Sequence, residues 1–492
     1  MSRRRAAELL ATSAATVALM MPGAARAHGN VPVLIQATHN TVGEIEDPSI
    51  RSQAGNSIVF VSDGDVPGPG TAPGHREVYL YSAASGAIAR LTHTTDGESY
   101  DASRETDSLL DGLPGVVTFL STGDLDPTIG NADHNPEVFL HFLETGATIQ
   151  VTNTVAPIVN AEPYTSDSGR CVVFRSNADL NDNDGSDVGN PGTGFSNADG
   201  SDEVFNLGFG DLDFSRDQWV TTQVSNGPAG TTSSHPVVGG YIFSRQCRST
   251  AYQSDHDQIG NGSSGSHIYN YTRTTAVTEQ LSKPGAGINR NPAMSSASNF
   301  ARGPFVVYES DMDPIDNGSD VFEMYRFRLF KNELWQYTFA DRDSSSGGVS
   351  DGGGRTVFQS TADLIDPARP LRNGEVPPLN SDGNSEIFHT IRKHQITQVT
   401  RTEGCDNTMP TIRDIGDAIA FRSTCDLIPG HNAAGVPQVF YYVLVKGKDA
   451  LATAAGCSVV DGCCNVANGC LVNLFGRKIG PPREAIRPDY TN

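Results

Sequence analysis

Short apolar segments recur along the chain, and each is followed by the same polar signature. An apolar stretch leads into Ser-x-x-Asp, a polar loop follows, and a second stretch opens with an aliphatic residue and an aromatic one. The Ser-x-x-Asp pairs are Ser62/Asp65, Ser121/Asp124, Ser176/Asp179, Ser254/Asp257, Ser310/Asp313, Ser360/Asp363 and Ser423/Asp426. The aliphatic–aromatic pairs are Val78-Tyr79, Val138-Phe139, Val204-Phe205, Ile268-Tyr269, Val321-Phe322, Ile387-Phe388 and Val439-Phe440. Stretches this short predict strands, so the chain is expected to be an all-β repeat.

A further phrase marks the last strand of each repeat. Six repeats end in a similar way, at residues 89–92, 149–152, 222–225, 279–282, 335–338 and 397–400. The seventh repeat lacks this phrase after Val445, and a similar one occurs near the beginning of the chain at residues 34–38. We therefore predict a seven-bladed β-propeller in which residues 34–38 pair with 439–442, complete the last blade and close the ring.

The first strand of the repeat carries a proline and ends in a turn. It reads Pro48-Ser49-Ile50 in repeat one and occupies residues 163–170 in repeat three and 410–416 in repeat seven. With these features the chain resembles the TolB-type propeller family (PD40-like repeats) over about residues 31–445. The pattern departs from that family in repeat two, whose first strand is unclear, and in repeat four, where residues 234–253 are irregular. The resemblance implies the fold and leaves the function open, because propellers host many unrelated activities.

The two ends of the chain differ from the repeats. Residues 3–5 are basic, residues 14–21 are apolar, and Ala25-Arg26-Ala27 suits a signal peptidase. We predict a signal peptide at residues 1–27, a propeller at 28–445 and a cysteine-rich C-terminal tail at 446–492. The protein is expected to be exported, to the periplasm or the extracellular medium, and to have no membrane span; the twin-arginine route stays open.

The net charge of the chain limits the classes of partner that it is expected to bind. The chain has 57 Asp and Glu against 35 Lys and Arg, a formal net charge of −22. Such a balance argues against nucleic acid as a partner, because phosphate binding requires clustered cations. It is compatible with a divalent cation, with a basic partner, or with solubility alone.

The eight cysteines suggest disulfides in an exported protein. The propeller arrangement places Cys405 and Cys425 on the same face of the seventh blade, and we predict that they are bridged. It also makes Cys171 and Cys247 neighbours on the opposite face, which suggests a second bridge. We expect the tail cysteines to be bridged among themselves rather than to bind zinc; these are Cys457, Cys463, Cys464 and Cys470.

The loops that follow the Ser-x-x-Asp pairs are rich in oxygen ligands, which calcium prefers. The densest set lies in repeat three, and its candidate calcium ligands are Asp182, Asp184, Asp187, Asp199 and Asp202. The alternative is that these residues only form turns, as Asp, Asn and Gly commonly do. Histidines in the same loops allow a metal site shared between blades, or are scattered surface residues: His75, His134, His256, His267 and His431.

No coherent set of catalytic residues is recognisable in the sequence. The leading hypothesis is therefore a non-catalytic binding or scaffold propeller, monomeric, that presents an acidic loop-rich face to a protein or glycan partner and is stabilised by calcium. The alternative is a polysaccharide lyase or glycoside hydrolase with carboxylates or a metal over the central channel.

Overall fold

The computed structural model describes residues 30–50, 57–67, 74–83, 85–104, 115–166, 169–180, 193–209, 219–239, 247–295, 304–312, 320–364, 380–390 and 396–446. The predicted signal peptide and the four tail cysteines lie outside these residues.

The described residues form strands, one 3-10 turn at Leu329–Lys331, and no α-helix. The strands are β1 (Asn30–Gln36), β2 (Ile45–Ser49), β3 (Ser57–Ser62), β4 (Glu77–Ser82), β5 (Ala87–Arg90), β6 (Ser99–Arg104), β7 (Val116–Ser121), β8 (Glu137–Phe142), β9 (Thr148–Gln150), β10 (Asn160–Thr165), β11 (Cys171–Ser176), β12 (Glu203–Gly208), β13 (Val220–Gln223), β14 (Ser233–Gly239), β15 (Ser249–Ser254), β16 (Ser264–Thr272), β17 (Val277–Gln280), β18 (Ala286–Met294), β19 (Phe305–Ser310), β20 (Glu323–Arg328), β21 (Glu333–Gln336), β22 (Ser344–Val349), β23 (Thr356–Ser360), β24 (Glu386–Thr390), β25 (Ile396–Gln398), β26 (Asn407–Ile412), β27 (Ala418–Ser423) and β28 (Gln438–Lys446). The all-β prediction is thus confirmed for the described residues, where no helix has the length and apolarity to cross a bilayer.

The strands are arranged as successive four-stranded antiparallel meanders, the unit from which β-propellers are built. Four of these are separate sheets, β2 to β5, β6 to β9, β10 to β13 and β22 to β25, and a fifth has the order β1-β28-β27-β26. The meanders β14 to β17 and β18 to β21 are joined into one larger sheet because β16 pairs in parallel with β18. Gly265 makes this junction possible, since its φ is +91° and a Cβ there would lie 2.0 Å from the carbonyl oxygen of Gly287.

The second and third strands of each meander form its core. They are buried on both faces, as in β7 and β8, which explains why they appear in the sequence as continuous apolar runs. The fourth strands are less buried: β5 and β17 alternate between exposed and half-buried residues, whereas β9, β13, β21 and β25 end in a buried glutamine. Repeats two and four, whose first strands are unclear or irregular in the sequence, each have an ordinary first strand in the structure. It is β6 in repeat two and β14 in repeat four.

An aromatic pair stacks across the second and third strands of every meander. The ring centroids are 5.5–5.9 Å apart in Phe60/Tyr79, Phe119/Phe139, Phe174/Phe205, Tyr252/Tyr269, Tyr308/Tyr325, Phe358/Phe388 and Phe421/Phe440. The predicted position was wrong in repeat five. Val321 and Phe322 precede β20, and Met324-Tyr325 takes the place expected for them because Tyr325 is the residue opposite Tyr308.

The described chain divides into two compact units. The larger one is Gln36–Tyr442, and the other contains the residues up to Ile35 and those from Val443 onward. Within the larger unit each first strand packs against the next: β2 on β6, β6 on β10, β10 on β14, β14 on β18, β18 on β22, β22 on β26, and β26 on β2. At the beginning of that unit the amide of Ala37 donates to the carbonyl of Val439 at 2.8 Å. The number of blades and the closure of the ring remain predictions.

Candidate functional site

Each second strand ends at the serine of its Ser-x-x-Asp pair, and we call this end of the sheets the serine end. In all seven cases the serine Oγ accepts a hydrogen bond at 3.0–3.1 Å from the backbone N–H two residues later. A side chain that bonds its own backbone in this way stops the strand and begins a turn. The repeated serine is therefore a turn-forming residue.

The aspartates of the same pairs fasten the loops that follow. Asp426 accepts from the amides of Gly430, His431 and Asn432 at 2.6–3.0 Å. Asp65 accepts in the same manner from Thr41 and Val42 in the connection to β2. Asp313 lies outside the described residues. Asp179, Asp257 and Asp426 thus close the loops that follow them, whereas Asp65 holds the connection that precedes β2.

A second repeated position, which the sequence analysis missed, lies directly opposite the serines, at the first residue of the third strand or, in β16, at the fourth. Its residues are at most 1% exposed: Glu77, Glu137, Glu203, His267, Glu323, Glu386 and Gln438. The register places Glu137 opposite Ser121 and Glu203 opposite Ser176. The signal was present in the sequence, since a glutamate precedes most of the aliphatic–aromatic pairs.

These buried acceptors join one sheet to the next. Glu137 accepts from the amide of Thr154 at 2.6 Å, from the Thr154 hydroxyl at 2.8 Å, and from Asn160 Nδ2 at 3.1 Å. Asn160 is the first residue of β10, in the following sheet. Glu386 makes the equivalent bonds to Thr402 and Asn407. Burial raises the pKa of Glu137 and Glu386, although the donated hydrogen bonds oppose that shift.

The serine ends of consecutive sheets lie beside one another. The first residue of a first strand donates its amide to the carbonyl just before the third strand of the preceding sheet. This bond joins Ser99 to Arg76, Ser233 to Asp202, Ser344 to Phe322, and Asn407 to Ser385, at 2.8–2.9 Å. The loops between second and third strands therefore leave the larger unit on one common side.

A third repeated position lies in the first strands, where each ladder is interrupted by a bulge. The bulge residues have φ between +50° and +54°, a left-handed conformation that is uncommon for residues other than glycine: Asp47, Asp101, Glu162, His235, Asn291 and Met409. Such conformations persist only where the surroundings enforce them, and they concentrate at functional sites. All but Asp101 precede a proline, the residue that marks the first strand of the repeat in the sequence.

The bulge residues of β2, β6 and β10 form a row of carboxyl groups. Asp101 accepts from the amide of Glu162 at 2.9 Å, and Glu162 accepts from the amide of His235 at 2.6 Å. Asp101 and Glu162 are thus each held by the backbone of the next first strand. We call Asp47, Asp101 and Glu162 the carboxyl row.

Two members of the carboxyl row, Asp47 and Asp101, hold protons more tightly than free carboxyl groups do. Burial, followed by the charges of Asp47 and Glu162, raises the pKa of Asp101 to about 7. Burial and the charge of Glu46 raise the pKa of Asp47 to about 6. Arg175, which lies 3.6 Å from Glu162 Oε2, opposes the shift at Asp101. The row can therefore retain a proton near neutral pH, as a general acid must.

The candidate calcium ligands are only partly described. Asp182, Asp184 and Asp187 lie outside the described residues. Asp199 accepts from the amide and hydroxyl of Ser201 at 3.1 and 2.9 Å, and Asp202 is paired with Arg175 at 2.8 Å. In the described part of the chain no three His, Cys, Asp or Glu residues are grouped so that they could hold a metal. The calcium site remains a prediction.

The loop histidines do not converge on one point. His75 contacts Glu77 at 3.1 Å, His134 contacts the carbonyl of Thr122 at 3.1 Å, and the ring of His431 lies 6.1 Å from that of His39. His267 is not a surface residue. It occupies the buried acceptor position of the fourth sheet, where Nδ1 contacts the Ser282 hydroxyl and Nε2 contacts the carbonyl of Gly285.

Two disulfides are present among the described residues. Cys171 is bonded to Cys247 with 5.1 Å between their Cα atoms, and Cys405 to Cys425 with 5.4 Å. Both predicted pairs are confirmed, and their presence suggests an exported protein.

Comparison with known proteins finds similarity in structure only. The sequence matches no known protein family and no curated protein. Similar solved structures include an oligogalacturonate lyase from Vibrio parahaemolyticus, with 10% identity, 84% of this chain and 93% of that chain covered, and a TM-score of 0.49. TolB from Acinetobacter baumannii has 13% identity over 59% of this chain and 53% of its own, with a TM-score of 0.32. An acylaminoacyl peptidase from Pyrococcus horikoshii has 9% identity over 78% and 50%, with a TM-score of 0.44.

TolB, a lyase and a peptidase thus stand among the structures to which this chain is similar. At these identities and scores they assign no activity to it.

Proposed function

We propose that this chain is an exported binding propeller that recognises a protein or glycan partner through the serine end of its sheets. The observation that carries the proposal is that the strands and their serine turns repeat closely, whereas the loops at the serine end differ in length. Every meander repeats the same serine turn opposite the same buried position, whereas the loop between the second and third strands ranges from residues 255–263 in the fourth meander to 177–202 in the third. Divergent loops on a rigid, repeated base are typical of recognition surfaces.

The proposal includes seven blades closed into a ring by the N-terminal segment. Its support is the order of contacts between first strands, in which β26 packs against β2, and the bonds of residues 37–40 to the last sheet. There Thr38 Oγ1 donates to Gln438 Oε1 at 2.8 Å, and Gln438 Nε2 donates to the carbonyl of Asn40 at 2.8 Å. Deleting the chain through Thr38 should lower the melting temperature markedly. An unchanged melting curve would count against closure.

Calcium belongs to the same proposal. The loop from Asp179 to Glu203 carries the densest set of acids, and a cation would relieve their mutual repulsion. Binding to the folded state alone would stabilise it by about 2.7 kcal/mol at a hundredfold excess over Kd. The measurement is thermal unfolding with calcium and with chelator, in the wild type and in Asp182→Ala/Asp184→Ala. If chelator leaves the wild-type midpoint unmoved, these acids only form turns.

The binding function is tested by site-specific cross-linking in the native host. A photoreactive residue replaces Val155, which is 70% exposed at the serine end, or Val277, which is 55% exposed in the turn at the opposite end. We expect an adduct with a protein or a glycan from position 155 and none from position 277. Equal yields at the two positions, or adducts at 277 alone, would show that the serine end is not the binding surface.

A second candidate function is supported by the carboxyl row. Glycoside hydrolases use a pair of carboxyl groups, one of which must be protonated, and Asp101, with its pKa raised to about 7, accepts a hydrogen bond from the backbone of a second acid, Glu162. The test is product release from a panel of oligosaccharides, neutral and acidic, by the wild type and by Asp101→Asn. Turnover by the wild type that Asp101→Asn abolishes would favour the enzyme over the binding protein.

A further inference from the structure

The exposed apolar side chains are unevenly distributed over the described residues. The large ones that project at the serine end or from the adjoining connections are Val42, Val155, Val159, Ile259, Ile288 and Phe339. The turns at the opposite end expose Val277, Phe330 and Ile415. Single exposed apolar residues are ordinary on a protein surface, so the arrangement of the serine-end set matters more than its size.

The backbone around these side chains is fixed while the side chains themselves project into solvent. Phe339 is 56% exposed, and the next residue, Ala340, donates its amide to the buried Glu323 at 2.7 Å. Val155 lies between Thr154, which is bonded to Glu137, and Ala156, whose amide approaches Asp133 at 3.4 Å. Because the framework already orders this backbone, a partner that contacts these side chains loses little further entropy on binding.

Three of these exposed apolar residues donate their backbone amide to a nearby carboxylate. The amide of Val42 donates to Asp65 at 3.0 Å, that of Ile288 to Asp311 at 2.6 Å, and that of Ile259 to Asp257 at 3.3 Å. Further acids in the same connections and loops are exposed: Glu44, Asp96, Asp124, Asp133, Asp199, Asp255, Asp320, Asp341, Asp343, Asp382, Glu403, Asp406 and Asp426. The surface therefore combines fixed apolar groups with exposed carboxylates, which outnumber the exposed cations of the same connections, Lys283, Arg342 and Arg401.

We propose that the partner of the serine end is a positively charged, amphipathic segment of a protein, which places apolar side chains against this set and its cations against the surrounding carboxylates. This inference rests on the proposed binding function and specifies the class of ligand. Charge complementarity carries it, because an acidic surface attracts cationic partners and repels acidic ones. A neutral glycan would leave the carboxylates without countercharge, and an acidic polysaccharide would be repelled by them.

The test uses three synthetic peptides with the full-length exported protein. One alternates lysine and leucine, one lysine and serine, and one glutamate and leucine. Fluorescence anisotropy gives Kd at several salt concentrations. We expect the lysine–leucine peptide to bind and to weaken as salt rises, the lysine–serine peptide to bind at least tenfold more weakly, and the glutamate–leucine peptide not to bind.

Matched variants locate the site. Phe339→Ser/Val42→Ser removes two side chains of the serine end, each 56% exposed, and Phe330→Ser/Val277→Ser removes two of the opposite end, each 55% exposed. The first pair should weaken the lysine–leucine peptide about tenfold, and the second should leave its Kd within about twofold. Equal losses in the two pairs would overturn the inference.

A panel of neutral oligosaccharides, tested on the same variants, distinguishes a failure of this inference from a failure of the proposed binding function. One result would overturn the inference of a cationic partner: an oligosaccharide binds, Phe339→Ser/Val42→Ser weakens its binding, and the lysine–leucine peptide does not bind. The serine end would still be the binding surface in that case. A failure of the cross-linking from position 155, by contrast, removes the proposed function itself.

Discussion

Replacing Asp101 by asparagine should change the pH dependence of stability in a defined direction. Asparagine keeps an oxygen that can accept the Glu162 amide and removes the charge that faces Asp47 and Glu162. The groups around the row are Asp47 from β2, Glu162 from β10 and Arg175 from β11, with Glu46 and Arg76 acting on Asp47.

The sign follows from the raised pKa. The native state holds the proton of Asp101 until about pH 7, whereas the unfolded chain releases it near its ordinary pKa of about 4. The native state therefore binds more protons between these values, so the contribution of Asp101 to stability is fully present below about pH 4 and is lost as pH rises through 7. A shift of about three units corresponds to about 4 kcal/mol. Because Asp101 as a whole residue is only partly buried, we expect about 2 kcal/mol.

Urea denaturation at pH 4, 6 and 8 measures the effect. Asp101→Asn should match the wild type at pH 4 and be about 2 kcal/mol more stable at pH 8. Asp96→Asn, which removes an exposed carboxylate from a connecting loop, serves as the control and should show a small difference that hardly varies with pH. A difference between Asp101→Asn and the wild type that is the same at all three pH values would refute the reasoning.

Two other predictions concern stability. Glu137→Ala should cost about 3 kcal/mol in denaturant unfolding, because it leaves buried donors without an acceptor. Glu137→Gln keeps one of the two oxygens that accept hydrogen bonds, so it should cost less, about 1–2 kcal/mol; equal losses would show that the donors do not depend on this acceptor. Removing the Cys171–Cys247 bridge by serine substitution should destabilise more than removing Cys405–Cys425. The bridged residues are 76 and 20 positions apart, and loop entropy gives about 4.5 and about 3 kcal/mol; the reverse order of melting temperatures would contradict this account.

The repeating elements of the fold were predictable from the sequence because their causes are local. A strand buried on both faces must be apolar throughout, and the serine that ends it bonds an amide only two residues away. The aromatic stacking pairs followed from the same periodicity, except in repeat five. There the Val-Phe pair sits just before the strand, and the stacking register depends on Tyr308, a residue of the neighbouring strand.

The candidate site was less predictable, because its properties arise between repeats. Asp101 is one acid among many in the sequence, and its proton affinity depends on Asp47 and Glu162, which different first strands bring beside it. Likewise Phe339 and Val42 belong to different repeats, and they project at the same end only because neighbouring sheets are bonded together there. The sequence by itself determined most second and third strands, their serine turns and the two described cysteine pairs, since these follow from local residues and a repeated pattern. The tertiary structure decided which charges and apolar groups share one surface, since Coulomb forces and burial depend on distance in space and not along the chain.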